Sequence, residues 1–319
     1  MNTTSSAMEV LDLRKHFPPN VEAVNGLSFT IGQGEVFGLL GPNGAGKTTT
    51  MRMMMGMLSP TSGMVRVFGE EIRGWRQDVK ARMGICPQEP VLWDDLTCAE
   101  HLQLVGAMYE VPTATVKERT THLLADLQLT DKTRTVAKSL SGGMRRRLNL
   151  ALALIHDPDV VILDEPTAGL DPQSRALLWD YIRSLARARG KTIVLTTHFM
   201  DEADQLADRI AIVDGGTLLV LDTPQALKAS IGEGDVLEVS LDRELSPESL
   251  ATLRGLPGVK NASVAGTRLT LQALNVTSKL QDIFRVLAEG GATASDIRFR
   301  TNSLEDAFLK LTGRSLRED

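Results

Sequence analysis

Apolar residues run almost unbroken through 35–41 (EVFGLLG), 160–164 (VVILD) and 192–198 (TIVLTTH). Runs of this kind fit strands buried on both faces, as in a parallel sheet covered by helices. Two further stretches read differently. Segment 63–69 (GMVRVFG) is β-rich, and 209–222 (RIAIVDGGTLLVLD) places Asp214-Gly215-Gly216 between two β runs, a hairpin signal implying antiparallel strands. Between about 90 and 158 the strand pattern stops. There CAEHLQLVGAMY (98–109) and TVKERTTHLLADLQL (115–129) repeat apolar residues at helical spacing, and Asp157-Pro158 closes the block. The pattern predicts an α/β core with an antiparallel β subdomain and an all-helical insertion.

A second break falls at ASIGEGDV (229–236), where two glycines and polar residues interrupt the rhythm. Beyond it the pattern predicts strand 235–241, helix 247–255, strands 259–264 and 267–273, helix 277–289 and strand 295–300. The order βαββαβ matches a small α+β, ferredoxin-like split unit. The expected domains are therefore 1–230 and 231–319. In the tail, Leu304, Phe308 and Leu311 fall at helical spacing after Asn302 and Ser303, an amphipathic helix with a cap.

The charge changes the picture little. A formal net charge of −5 over 319 residues argues against a dedicated nucleic-acid binder, and no nucleic acid is expected as a partner. No apolar run reaches the roughly 18–20 residues that span a bilayer. The opening MNTTSSAMEV lacks the basic start and apolar core of a secretory signal, so a cytosolic chain is expected. Cys86 and Cys98 are too few for a disulfide framework; both read as buried, inert thiols in a reducing compartment.

The candidate chemistry begins at Gly41-Pro42-Asn43-Gly44-Ala45-Gly46-Lys47-Thr48-Thr49, which satisfies G-x-x-x-x-G-K-[ST] between an apolar strand and a helical run. Gly44 and Gly46 let the backbone curl into a nest of N–H groups for phosphate oxygens. Lys47 brings positive charge to the β and γ phosphates, Thr48 offers a hydroxyl to Mg²⁺, and Thr49 can bond the α-phosphate. Met51, Met54, Met55 and Leu58 behind the loop share one helix face and read as core filler.

Asp164 and Glu165 end a buried strand. Adjacent strand residues point to opposite sides. Asp164 is then expected to serve the metal, and Glu165 to act as general base or water-positioning group for attack on the γ-phosphate. His198 ends the strand 192–198. In a shared parallel sheet it faces the crevice at the C-terminal strand ends, where it can contact the γ-phosphate. Gln88, where strand gives way to the insertion, can either ligate Mg²⁺ or bond the attacking water. Ser141-Gly142-Gly143 opens a helix at 138–150 (KSLSGGMRRRLNL) and forms a second anion-binding turn. Arg145–Arg147 reads as a solvated or salt-bridged face of that helix, with nucleotide contacts as the alternative.

In this order, GPNGAGKTT (41–49), Gln88, LSGGM (140–144), VVILDE (160–165), GLD (169–171) and His198 resemble the ATP-binding subunit of an ABC transporter over about 10–225. The resemblance implies a P-loop NTPase fold, ATP and Mg²⁺ as cofactors, ATPase activity, and a separate transmembrane permease docking on the insertion near Gln88. It also implies a second ATP-binding subunit, an identical copy or a sister chain, packed head to tail. Ser141 and Gly143 would then reach the γ-phosphate held by the partner copy, and Asp171 would bond across the same interface. An aromatic under the adenine is implied near the first strand: Phe17, with His16 as the competing platform. Met144 stands where many relatives have glutamine. NSLEDAFLKLTG (302–313) and SGGMRRRLNLALAL resemble the daunorubicin/doxorubicin-resistance exporters. That implies export of a drug, natural product or lipid from the cytoplasmic face of the membrane. An importer ATPase with a C-terminal regulatory domain is the alternative. Ribosome-acting members usually carry two cassettes in one chain, and chromosome-maintenance members insert long coiled coil between phosphate loop and signature; neither fits this single cassette.

Overall fold

The computed structural model describes residues 6–72, 77–230, 235–273, 276–300 and 303–312. The chain divides into two compact units, one up to Pro224 and one from Gln225 onward.

The first unit runs β1 (Ser6–Phe17), β2 (Val21–Gly32), β3 (Val36–Leu40), α1 (Lys47–Met54), β4 (Ser62–Val67), β5 (Glu70–Glu71), α2 (Gln77–Lys80) and β6 (Met83–Cys86). The helical block follows: α3 (Cys98–Met108), α4 (Thr113–Asp126) and α5 (Gly142–Leu154). Then come β7 (Val160–Asp164), α6 (Pro172–Arg187), β8 (Thr192–Thr197), α7 (Met200–Leu206), β9 (Arg209–Asp214) and β10 (Thr217–Asp222).

Among the described residues, a six-stranded sheet has the order β10-β9-β3-β8-β7-β6, parallel except for β10. Its neighbour, β2-β1-β4-β5, is antiparallel. The unbroken apolar runs explain the layering. Alternate residues of one strand enter different cores: Leu163 and Leu195 pack with Leu102, Leu124 and Leu148 of the helical block. Phe37, Leu39, Ile162 and Val194 pack with Met8, Leu13 and Ile31 of the antiparallel sheet. Met51, Met54 and Met55 are buried in that second core, with Leu58 packed against it. The hairpin at Gly215-Gly216 joins β9 to β10, with φ of 52° and 76° at its two glycines.

The second unit contains α8 (Pro224–Ser230), β11 (Asp235–Leu241), α9 (Pro247–Gly255), β12 (Val259–Ala265), β13 (Arg268–Ala273), α10 (Leu280–Glu289), β14 (Ala294–Arg300) and α11 (Leu304–Thr312). Its sheet has the order β12-β13-β11-β14, every pairing antiparallel. The division falls at 224/225 rather than 230. Helix α8 belongs with this unit: the Lys310 ammonium donates to the Ser230 carbonyl at 2.9 Å. Residues 231–234 of the expected break at 229–236, and Asn302 of the expected cap, lie outside the described residues. Ser303, the other residue expected at the cap, caps α11 by accepting the Asp306 amide at 3.2 Å. Leu304 and Phe308 are buried as expected, but Leu311 is 43% exposed in the last turn, and Ala307 completes the buried face.

Candidate nucleotide site

The register of the parallel sheet assembles the site. Leu40 pairs with Thr197, Thr196 with Asp164, and Leu163 with Cys86. Four strands therefore end at one level, and at about 4.8 Å per strand the residues beyond them share one edge. Those residues are the phosphate loop after β3, His198 after β8, Glu165 after β7 and Gln88 after β6. This is the crevice at the carboxyl ends of the strands, where an open α/β sheet binds its ligands.

The loop is held from below. Asn25 donates its amide to the Gly216 carbonyl at 2.8 Å, and Gly216 donates to the Ala45 carbonyl at 3.2 Å. Gly46, with φ of 95°, is the N-cap of α1. A Cβ there would stand 2.3 Å from the Ala23 carbonyl oxygen, so only glycine fits. No side chain caps α1 and its first turn carries no acid, which leaves its N-terminal amides facing the loop. Asn43, Gly44 and Thr48 are exposed, Thr49 is half-buried and Ala45 is buried. Lys47 is buried; its ammonium donates to the carbonyls of Gly41 at 2.7 Å and Pro42 at 3.0 Å. Burial pulls its pKa down, while the nearby Glu165 and Asp164 carboxylates oppose that shift.

The two acids diverge for a reason the sequence did not show. Strand β7 stops at Asp164, and Glu165 takes a left-handed φ of 44°. Strand alternation would require extended backbone through both residues; the turn at Glu165 separates them instead. Asp164 Oδ1 accepts from the Thr196 hydroxyl at 2.5 Å. The Glu165 amide donates to the Thr196 carbonyl and hydroxyl, each at 3.1 Å. The Glu165 carboxylate lies between two flanking groups. Gln88 Nε2 donates to its Oε2 at 2.9 Å, and His198 Nδ1 lies 3.1 Å from its Oε1. With the Nδ1 proton donated to Glu165, His198 presents Nε2 away from the carboxylate.

Ser141 and Asp171 belong to a second cluster. Ser141 caps α5 by accepting the Met144 amide at 3.3 Å, and Asp171 caps α6 by accepting the Ser174 amide at 3.0 Å. A Cβ on Gly143 would meet the Ser174 hydroxyl at 3.0 Å, so the two helix starts adjoin; Gly142 has open space. The hydrogen bond of Asp171 to the Ser174 amide also lowers its own pKa. Phe17 stands apart at the end of β1, 37% exposed, with the Lys15 ammonium 5.2 Å from its ring centroid.

Two contributors escaped the sequence reading. Thr196 looked like one more residue of a buried strand, yet its hydroxyl links both acids. Arg146 was expected on a solvated face with Arg145 and Arg147, but it is 3% exposed. It occurs three, four and seven residues before the buried Asn149, Leu150 and Ala153. An arginine on that buried stripe was the available signal. The rest of the run is closer to expectation. Arg145 pairs with Asp94 at 3.2 Å, and Arg147 donates to the Leu127 carbonyl at 2.8 Å. Both cysteines are buried, and burial pushes the Cys86 thiol up to about 11.

The ABC transporter family model matches residues 24–168. The Nod factor export ATP-binding protein I of Ralstonia nicotianae is 42% identical over 315 residues, covering 98% of this chain and 95% of that protein. The daunorubicin resistance ATP-binding protein DrrA3 of Streptomyces coeruleorubidus is 39% identical over 295 residues, 92% of each chain. A solved structure of the ATP-binding subunit of an ABC transporter superposes with a TM-score of 0.65 at 27% identity, over 71% of this chain and 94% of its own. The phosphate loop, the flanked carboxylate and this likeness over nearly the whole length lead to one conclusion: the chain belongs to the ATP-binding proteins of ABC transporters and is an ATPase.

Proposed function

We propose that this chain is the ATP-hydrolysing subunit of an exporter, acting on the cytoplasmic face of a membrane with a separate permease and a second cassette. The observation that carries the hydrolytic part is the Glu165 carboxylate held between Gln88 and His198 at the edge of the phosphate loop. The direction of transport rests on the relatives that export Nod factor or confer daunorubicin resistance. Their names favour an amphipathic drug, natural product or lipid as cargo.

Residues 41–49 would wrap the phosphates, with Lys47 neutralising charge on the β and γ groups and Thr49 reaching the α-phosphate. Glu165 would take a proton from the attacking water, and His198 Nε2 would contact the γ-phosphate. Asp164, Thr48 and Gln88 supply hard oxygen donors. Among the described residues no cluster of three or more His, Cys, Asp or Glu can hold a metal ion. That donor set fits Mg²⁺, which binds through one or two carboxylates together with substrate phosphates and water. When bound, Mg²⁺ would stabilise the charge developing on the transferred phosphate.

Ser141 and Gly143 would meet the γ-phosphate of the partner copy, and Asp171 would bond across the interface beside them. Their clustering away from Lys47's own contacts supports this reading: a capped helix start with exposed glycine amides is an anion site. Phe17 would stack under the adenine. The helical block, about 90–158, would carry the permease. Unit two would be a ferredoxin-like accessory and dimer-contact domain; the order β12-β13-β11-β14 supports it, because β13 lies between strands joined through α9.

Glu165→Gln tests the assignment. It keeps the contacts of Oε1 and removes the base, so phosphate release should fall by roughly 10²–10⁴-fold. ATP binding should persist, and an ATP-bound dimer should accumulate on a sizing column. Turnover at the wild-type rate would remove Glu165 from the reaction.

A further inference from the structure

The helix capped by Ser141 carries a buried cation that, among the described residues, is held by backbone carbonyls rather than by a carboxylate. Arg146 donates Nε–H to the Pro166 carbonyl at 2.8 Å, and one terminal nitrogen donates to the carbonyls of Asp164 and Glu165, both at 2.6 Å. The other donates to the Pro87 carbonyl at 2.5 Å and to that of Gln88. A guanidinium has five N–H groups. Here each of them meets a backbone carbonyl, and the carbonyls come from two turns, 87–88 and 164–166.

The left-handed backbone at Glu165 explains this convergence. It turns the carbonyls of Asp164, Glu165 and Pro166 toward one point instead of alternating them, as an extended strand would. A non-glycine residue in that conformation is strained and persists only when its surroundings over-determine it. Converging carbonyl dipoles in a buried site also repel one another unless a cation stands among them. Arg146 fulfils both requirements. The same guanidinium holds the backbone of Gln88, whose side chain donates to Glu165 Oε2. Asn149, one turn along α5, adds a hold on the Pro87 carbonyl at 3.2 Å.

We infer that Arg146 is a positioning residue that locks the Glu165 carboxylate and the Gln88 turn to the helix begun by Ser141, so that movement of that helix moves the base. Its five donors are all directed at backbone carbonyls, which assigns it to holding the turns rather than to the reacting groups. Arg146 is five residues from Ser141, about 7.5 Å along the axis, so the helix start and the guanidinium shift as one body. A nucleotide drawn onto Ser141 and Gly143, or a permease pushing the Gln88 turn, is then reported to the same carboxylate. The inference rests on Glu165 acting on the attacking water.

Lysine offers three donors from a single point and cannot bridge both turns. In Arg146→Lys, kcat for ATP should fall on the order of 10- to 100-fold, as for a small misplacement of a reacting group. KM for ATP should stay within about threefold, because the phosphate loop is untouched. A purely structural role would not predict that split. It would also not predict coupling to Gln88: in a Gln88→Ala background, where the carboxylate has already lost that flank, Arg146→Lys should cost kcat less than it does alone. Arg146→Gln, a neutral side chain of smaller volume, should follow the same pattern.

Unchanged kcat in Arg146→Lys, equal losses in kcat and ATP affinity, or strict additivity with Gln88→Ala would each overturn the inference. Failure of both Arg146 variants to fold would do so too, since the residue would then serve stability alone. Glu165→Gln separates the two levels. If that variant turns over normally, the assignment of the base has failed; if it is dead while Arg146→Lys is fully active, only the present inference has failed.

Discussion

Replacing Thr196 by valine isolates the link between the two acids. Thr196 is fully buried on β8, and its hydroxyl donates to Asp164 Oδ1 at 2.5 Å while accepting the Glu165 amide at 3.1 Å. Valine keeps nearly the same shape and deletes both contacts. The Glu165 amide retains the Thr196 carbonyl as acceptor, so the main loss is the bond to Asp164. A hydrogen bond to a charged group contributes roughly 1.5–3 kcal/mol. At about 2–4 °C per kcal/mol for a unit of this size, the melting temperature should fall by about 3–12 °C. If the same energy is expressed in the transition state, turnover drops between about 10- and 150-fold. Thr196→Ser is the control. It keeps the hydroxyl and loses one methyl, costing about 1 kcal/mol and little turnover. Thermal melts and phosphate release at saturating ATP read the two effects. The reasoning is refuted if the valine variant melts and turns over like the wild type. It is refuted equally if serine loses as much activity as valine, because volume rather than the hydrogen bond would then be responsible.

Two further outcomes can be measured directly. Ser141→Ala removes a helix cap worth about 1 kcal/mol, so the melt should move little, while ATP-driven turnover falls and ATP binding by the isolated chain remains; unchanged turnover would exclude the partner-nucleotide role. Glu202 is buried on α7, its Oε1 accepting from the Thr167 hydroxyl at 2.7 Å and from the Trp179 indole at 3.1 Å. Burial raises its pKa above the ordinary 4.5, so the folded chain holds that proton more tightly than the unfolded one. Its contribution to stability is therefore full below about 4.5 and is lost as pH rises through the folded-state value. Glu202→Gln cannot ionise, so its melting temperature should gain on the wild type as pH increases, and parallel curves would contradict this.

The elements themselves were legible because each leaves a local trace. The runs at 160–164 and 192–198 became β7 and β8 almost residue for residue, since a strand buried on both faces is built mainly from apolar side chains and admits a threonine only where its hydroxyl finds a partner. The βαββαβ order beyond 235 was visible in alternating periods and turn residues. The phosphate loop was visible because its glycines and lysine are contiguous. Arg146 was misplaced because a charged residue in an RRR run reads as solvated unless its acceptors are known. Those acceptors are carbonyls 18–20 and 58–59 residues away, and backbone carbonyls leave no mark in the side-chain sequence. The assignment of α8 to the second unit was not legible either, since only packing assigns a short helix to one unit.

By itself, then, the amino-acid order determined which residue types were present, the periods that make strands and helices, and the contiguous nest for phosphate. Tertiary structure alone decided that β3, β8, β7 and β6 end at one level, so that Gln88, Glu165 and His198 meet. It also decided that Glu165 turns left-handed with a buried guanidinium behind it. The reason is physical. Periodicity is a property of neighbours along the chain, whereas register and the neutralisation of a buried charge depend on groups brought together from distant positions, and their energies exist only once the sheet has closed.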